Sequence, residues 1–254
     1  MSAYSAAVLA DSPLHYWRCA DPGGALLHDV GSQKVALMVN NIDPVGLPYS
    51  GPVSDGGSFL DQGTAYGWFN QDSDALAAPL SLEFWLWQHS DIATQQIAFI
   101  VRSGASSFFV QTSSTTKLGG VGTGGTIADA ANLTRQAWHH VVFTISGTGA
   151  GILYKDAVSV ATGAVGIPPT GNYRFALGGN VGSAANQFQG ALSEAAIYGS
   201  VLSAARVTAH FAAADNVSSK PVYAVNGVFN PGPGTTSLDS ANIASILASV
   251  RKTF

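Results

Sequence analysis

Trp138-His139-His140-Val141-Val142-Phe143-Thr144-Ile145, followed by Ser146-Gly147-Thr148-Gly149-Ala150-Gly151 and Ile152-Leu153-Tyr154-Lys155, decides the fold of this chain. Strand side chains alternate between faces, so Trp138, His140, Val142 and Thr144 share one side and His139, Val141, Phe143 and Ile145 the other. Both sides are largely apolar, which suits a central strand covered above and below. The glycine-rich hexapeptide can take positive φ, so a reversal is expected there, with Ile152–Lys155 returning antiparallel. A second turn at Asp156-Ala157 leads into Val158-Ser159-Val160, which alternates as an edge strand does.

The same pattern recurs outward from this hairpin. In Ser81-Leu82-Glu83-Phe84-Trp85-Leu86-Trp87 the residues Leu82, Phe84 and Leu86 form one face. Glu83, Trp85 and Trp87 form the other, which is expected to be covered by loops. Leu14–Cys19, Ile97–Val101, Phe108–Gln111, Arg174–Leu177 and Phe188–Tyr198 read as further strands. Lys117–Ile127 holds Gly119-Gly120-Val121-Gly122-Thr123-Gly124-Gly125 and reads as a weak strand or a surface loop. Helices do not alternate with these strands, which excludes a parallel α/β sheet. The expected fold is all-β, a two-layer antiparallel sandwich. Ala3–Ala10 is helix-capable, and Ser203 caps a short helix near residue 205. That helix has Val207, His210 and Phe211 on one side and is read as a lid on the sandwich edge.

With 46% hydrophobic and 10% charged residues and 29 glycines among 254, the composition suits an exterior-type β fold and excludes a disordered chain. A net charge of −4 with 11 basic residues leaves no footprint for nucleic acid. The single cysteine, Cys19, excludes an internal disulfide and is read as a small buried apolar residue. Met1-Ser2-Ala3-Tyr4 lacks a basic region before an apolar run, so no secretory leader is expected. No apolar run is long enough to suggest a membrane span.

Residues 1–218 are expected to form the body, and residues 219–254 a linker and docking segment, with Asn230-Pro231-Gly232-Pro233-Gly234 as the linker. Ser237-Leu238-Asp239-Ser240 caps a terminal helix that carries Ile243, Ile246, Leu247, Val250 and Phe254 on one stripe. The stripe either folds back on its own sandwich or docks on another subunit. Docking is the favoured expectation, because so short a helix is marginal alone in water.

Ser12-Pro13-Leu14-His15-Tyr16-Trp17-Arg18 opens a series that continues with Trp138-His139-His140-Val141-Val142 and Leu153-Tyr154-Lys155-Asp156. It ends with Phe188-Gln189-Gly190, Glu194, Ile197-Tyr198, Leu202-Ser203-Ala204-Ala205 and His210-Phe211. In order and spacing these segments resemble the laminin-G-like, concanavalin-A-like jelly-roll family over about residues 4–214. The resemblance implies a jelly-roll sandwich, in a family that includes lectins, adhesion modules and glycan-cleaving enzymes. Ala157 stands where the family has glycine, which implies an altered hairpin turn. Ser193 stands where an acidic residue is usual, which removes a carboxylate from any family-like calcium site. No cofactor is expected; calcium is left open without support from the residues.

Glycoside cleavage needs two carboxylates flanking a cleft. The chain has two glutamates, Glu83 and Glu194, in different strands, so no catalytic residue is assigned and Glu194 is read as structural. His139 and His140 point to opposite faces and are poor joint ligands, so no metal residue is assigned. The glycine run lacks the lysine of a phosphate loop. Sugar binding asks only for an aromatic platform and a few polar groups. Tyr66, Trp68, Asn70 and Asp72 offer these on an expected loop, the alternative being that Trp68 is core.

The functional expectation is a non-enzymatic structural protein on the surface of a phage virion, as a capsid decoration or tail-associated protein with weak glycan adhesion. The alternative is a free lectin-like module. Expected partners are other virion subunits through Ile243–Phe254, further copies of the chain, and cell-surface glycans. The expected location is the virion, assembled in the host cytoplasm, or else the extracellular space.

Overall fold

The computed structural model describes residues 1–20, 26–34, 37–40, 49–53, 57–62, 66–68, 74–88, 96–103, 106–113, 117–180, 186–215, 217, 222–225 and 228–231. Helix α1 (Ala3–Ala10) precedes β1 (His15–Trp17), β2 (Leu26–Leu27), β3 (Leu37–Asn40), β4 (Tyr49–Ser50), β5 (Gly57–Gln62), β6 (Tyr66–Trp68) and β7 (Asp74–Leu76). The long strands follow: β8 (Leu80–Gln88), β9 (Gln96–Ser103), β10 (Ser106–Thr112), β11 (Lys117–Gly122), β12 (Gly125–Asn132) and β13 (Trp138–Ile145). Then come β14 (Ala150–Lys155), β15 (Val158–Ala164), β16 (Gly171–Leu177), β17 (Gln189–Tyr198), α2 (Ala204–Ala212), β18 (Val222–Val225) and β19 (Val228–Pro231).

The first sheet runs β15-β14-β13-β8-β17-β5-β4-β18-β19, with β1 also on β17; the second runs β12-β11-β10-β9-β16-β6-β3-β2, with β7 also on β16. Neighbouring strands pair antiparallel, as β13 does with β8 and β14, and β9 with β10 and β16. This is the expected all-β jelly-roll sandwich. The inner faces meet in one core, where Leu82, Phe84, Val141 and Phe143 face Phe99, Val101, Phe108 and Phe175. Each such side chain contributes roughly 1.5–3 kcal/mol relative to exposure. Cys19 is buried in this core.

The outer face of the first sheet is covered by helices, which corrects two expectations. Trp85, Val142 and Tyr154 pack under Tyr4 and Val8 of α1 and Val207 and Phe211 of α2. Phe211 stacks on Trp85 with ring centroids 5.9 Å apart and planes 19° apart. The cover is therefore helical rather than looped, and α2 lies on the sheet face rather than at the sandwich edge. A strand that turns Trp85 and Trp87 outward needs a continuous apolar stripe against it, and an amphipathic helix supplies one. Ser2 and Ser203 cap the two helices by accepting from Ser5 N and Arg206 N.

The run Gly119–Gly125 is a hairpin of two strands, β11 and β12, rather than a loop. Its glycines allow close approach: a Cβ on Gly120 would lie 2.8 Å from the Phe143 ring, and one on Gly122 2.3 Å from the Val165 carbonyl. At this edge Gly124 N donates to Val165 O at 2.8 Å. The turn at Asp156-Ala157 also keeps its shape. Asp156 and Ala157 have φ of 51° and 66°, the two left-handed positions of a tight hairpin turn, so Ala157 adopts the glycine conformation. Asp156 holds it there, accepting from His140 N at 2.9 Å and bonding His139 Nδ1 at 2.7 Å. β18 pairs with β19 and with β4, so Asn230 and Pro231 of the expected linker lie in a strand that continues the first sheet; residues 232–234 lie outside the described residues.

Candidate functional site

Glu83 and Glu194 are both fully buried. Glu83, on the outer face of β8, accepts hydrogen bonds from Tyr4 Oη at 3.0 Å, Tyr198 Oη at 2.5 Å, His140 Nε2 at 2.7 Å and His210 Nδ1 at 3.0 Å. Burial alone would raise its pKa. The hydrogen bonds and charge of His140 and His210 outweigh burial and hold the carboxyl well below the usual carboxylate range. His210 bonds Asp11 Oδ2 through Nε2 at 3.0 Å. Burial would lower the His210 pKa, but its bond to Glu83 and the charges of Glu83 and Asp11 raise it.

Glu194 sits in a bulge of β17 with φ 52°. It accepts from the Tyr16 hydroxyl and from Arg18 Nη2 at 3.2 Å. Burial, then the Glu194 charge, push the Tyr16 hydroxyl well above its ordinary range. Both carboxylates therefore tie elements together, Glu83 joining α1, α2, β13 and β17, and neither faces solvent. His139 is held at Nε2 by the Thr134 carbonyl and at Nδ1 by Asp156, while His140 reaches Glu83 on the opposite side.

The outer face of the second sheet carries a different arrangement. Met38, Trp68, Ala176, Ile100, Phe109, Val121 and Thr126 occupy directly opposed positions across β3, β6, β16, β9, β10, β11 and β12. Ile97, Ile100 and Ala176, with half-buried Phe109 against them, form an apolar cluster apart from both larger cores. At about 4.8 Å per strand, the row from Trp68 to Val121 spans about 19 Å. Two residues along the strands, a polar row runs beside it on the same face: Arg174, Arg102 and Ser107, opposed across β16, β9 and β10 and all half-buried. Arg102 Nη1 donates to Asn180 Oδ1 at 3.4 Å. Ile97, Ile100 and Ala176 are themselves covered, at 3%, 2% and 0% exposure, so what this face offers a ligand is half-buried Phe109 and Val121 with half-buried Ser107, Arg102 and Arg174 beside them.

Tyr66 and Trp68, expected on a loop, lie in strand β6, with Trp68 opposite Ala176 and Met38. The ladder there continues the second sheet, which the glycine and polar residues around it obscured. Asn70 and Asp72 lie outside the described residues, as do Ile243, Ile246, Leu247, Val250 and Phe254. Sequence reasoning missed Arg102, Phe109, Arg174 and Asn180. For the first three the signal was the alternation of β9, β10 and β16, read for core residues and not for the outward set; Asn180 lies beyond the end of β16 and had none.

A family model described as the Concanavalin A-like lectin/glucanases superfamily matches residues 61–208, more than half of the 254 residues. No curated protein matches the chain. Among solved structures, Trypanosoma rangeli sialidase in complex with sialic acid aligns with a TM-score of 0.58 at 14% identity over 79% of this chain. The chain spans only 32% of that sialidase. Domain 4 of AbnA, a GH43 extracellular arabinanase from Geobacillus stearothermophilus, in complex with arabinotriose, aligns with a TM-score of 0.59 at 17% identity. That alignment covers 78% of this chain and 98% of the arabinanase domain. Identities this low speak to the fold alone.

Proposed function

The chain belongs to the concanavalin A-like lectin/glucanase superfamily, and from that premise we propose a non-enzymatic glycan-binding module whose ligand lies across the outer face of the second sheet. The observation that carries this is the pair Phe109 and Val121, half-buried and directly opposed across β10 and β11, with half-buried Ser107, Arg102 and Arg174 on the same outer face. The arabinotriose complex of the arabinanase domain, which matches over nearly its whole length, supports a sugar as the ligand class. The engagement of Glu83 and Glu194 in buried networks supports binding without cleavage.

A glycan array followed by calorimetry tests the reading. The full chain should bind at least one oligosaccharide, and Phe109→Ala should weaken that binding about ten-fold while leaving the fold intact. Absence of binding across the array, or binding indifferent to Phe109, refutes it. Activity on a polysaccharide panel that disappears in Glu194→Gln would establish an enzyme instead.

A second reading places the module on a larger assembly, a phage virion, with the apolar stripe Ile243, Ile246, Leu247, Val250 and Phe254 as the docking segment. Many copies on one particle would make a weak sugar site effective. Removing residues 231–254 should abolish association with particles and leave sugar affinity unchanged. Retained particle association sinks this placement.

A further inference from the structure

We infer that an ordered water molecule is a structural ligand of this fold, bound between the two sheets by Gln88, Gln96 and Thr112. The site is independent of the glycan-binding reading. Gln88 ends β8, Gln96 begins β9, Thr112 ends β10 and Gln189 begins β17, so all four lie at one end of the sandwich. Leu82, Phe84 and Leu86 turn into the core, and the alternation of β8 carries Gln88 onto the same inner face. Phe108 and Val110 do the same for Thr112 on β10. Gln96 is directly opposite Thr112. Its Oε1 accepts from Gln189 N at 3.1 Å, so its side chain crosses from the second sheet to the first. The next residue of β17, Gly190, is opposite Gln88. Three polar side chains from both sheets therefore converge inside the sandwich, with Gln88, Gln96 and Thr112 at 1%, 2% and 1% exposure.

Two of their atoms point to the ligand. Gln88 Oε1 and Thr112 Oγ1 are buried and have no hydrogen-bond partner in the protein. A buried polar group left this way bears its full desolvation cost, which is why such groups are paired with protein or with ordered water. Gln88 Oε1 can only accept, whereas the Thr112 hydroxyl donates or accepts. Water can donate to the first and take either role toward the second, and the Gln96 amide opposite Thr112 offers a third partner, which matches the roughly three hydrogen bonds of an internal water. Packed sheets lie about 10 Å apart, a gap that a glutamine and a threonine facing each other do not close alone and that a bridging water does. None of the three side chains is charged, so an anion or a metal ion would be uncompensated there.

High-resolution crystallography of the full chain and urea unfolding of two variants test the site. The wild-type map should show a water within hydrogen-bond distance of both Gln88 Oε1 and Thr112 Oγ1. Thr112→Ser keeps the hydroxyl and should keep the water. Thr112→Val keeps the side-chain shape, removes the hydroxyl and should lose the water. The sign of the stability change is decisive. If Thr112 holds a water, Thr112→Val strands Gln88 Oε1 and the urea midpoint falls. If the hydroxyl is a true orphan, its removal relieves a desolvation cost and the midpoint rises. A map that leaves the two atoms unbridged, a protein group found between them, or a Thr112→Val midpoint at or above that of wild type overturns the inference. Each of these outcomes leaves the glycan reading untouched, since the site lies between the sheets and not on the outer face of the second.

Discussion

His210→Leu should destabilise the protein by about 3 kcal/mol and flatten its pH dependence above pH 6.5. His210 is fully buried, with Nδ1 3.0 Å from Glu83 and Nε2 3.0 Å from Asp11 Oδ2. A neutral ring can donate to only one of these carboxylates, whereas an imidazolium serves both. Removing one partner of a buried ion pair costs roughly 3–5 kcal/mol. The lower end applies because Glu83 keeps Tyr4, Tyr198 and His140, and Asp11 keeps Arg206 Nε at 2.8 Å.

The sign of the pH effect follows from the raised His210 pKa. Stability from a histidine whose folded pKa is raised is fully present below its unfolded value, about 6.5, and is lost as pH rises through the folded value. One proton gives a slope of at most about 1.4 kcal/mol per pH unit in that window. Arg206 Nη2, 3.3 Å from Nε2, can donate to the neutral ring and recover part of the loss. Glu83 acts at the other end: its depressed pKa gives stability that is present above about pH 4.3 and lost as pH falls toward its folded value. Urea unfolding of wild type and variant from pH 2 to 9 follows both, and the difference between the curves isolates His210 from the other histidines. A variant as stable as wild type at pH 6, or a slope above pH 6.5 that survives the substitution, would refute the reasoning.

Ala157→Gly should stabilise the protein by about 0.5–1 kcal/mol, since alanine at φ 66° bears a left-handed strain that glycine avoids, less glycine's greater chain entropy. The shift in the urea midpoint measures it, and destabilisation would contradict the turn geometry. Gly122→Ala should cost about 1–3 kcal/mol, because its Cβ would lie 2.3 Å from the Val165 carbonyl and force β11 away from the opposite edge. A neutral result by thermal unfolding would mean that the sandwich is not closed there.

The two-sided apolar run of Trp138–Ile145 makes a covered central strand legible from its residues alone, because period-two alternation is a local property. The same logic fails at Lys117–Ile127. Glycine there weakens a strand read in isolation, whereas in the fold it lets Phe143 and Val165 approach across the sandwich. Glu83 shows the same limit: its strand is evident, but Tyr4, Tyr198, His140 and His210 come from four other elements far along the chain.

What the sequence alone determined was therefore the class and the elements: an all-β body, most of its strands, both helices and the absence of an internal disulfide. These follow from alternation, capping and a count of cysteines, none of which needs a partner strand. Only the tertiary structure decided what covers the first sheet and which outward residues stand side by side on the second. Arg102 and Arg174 are 72 positions apart and become neighbours through the β9–β16 register. Register is set by packing the inner faces of strands distant in sequence, so a surface built from their outer faces is not written in any one segment.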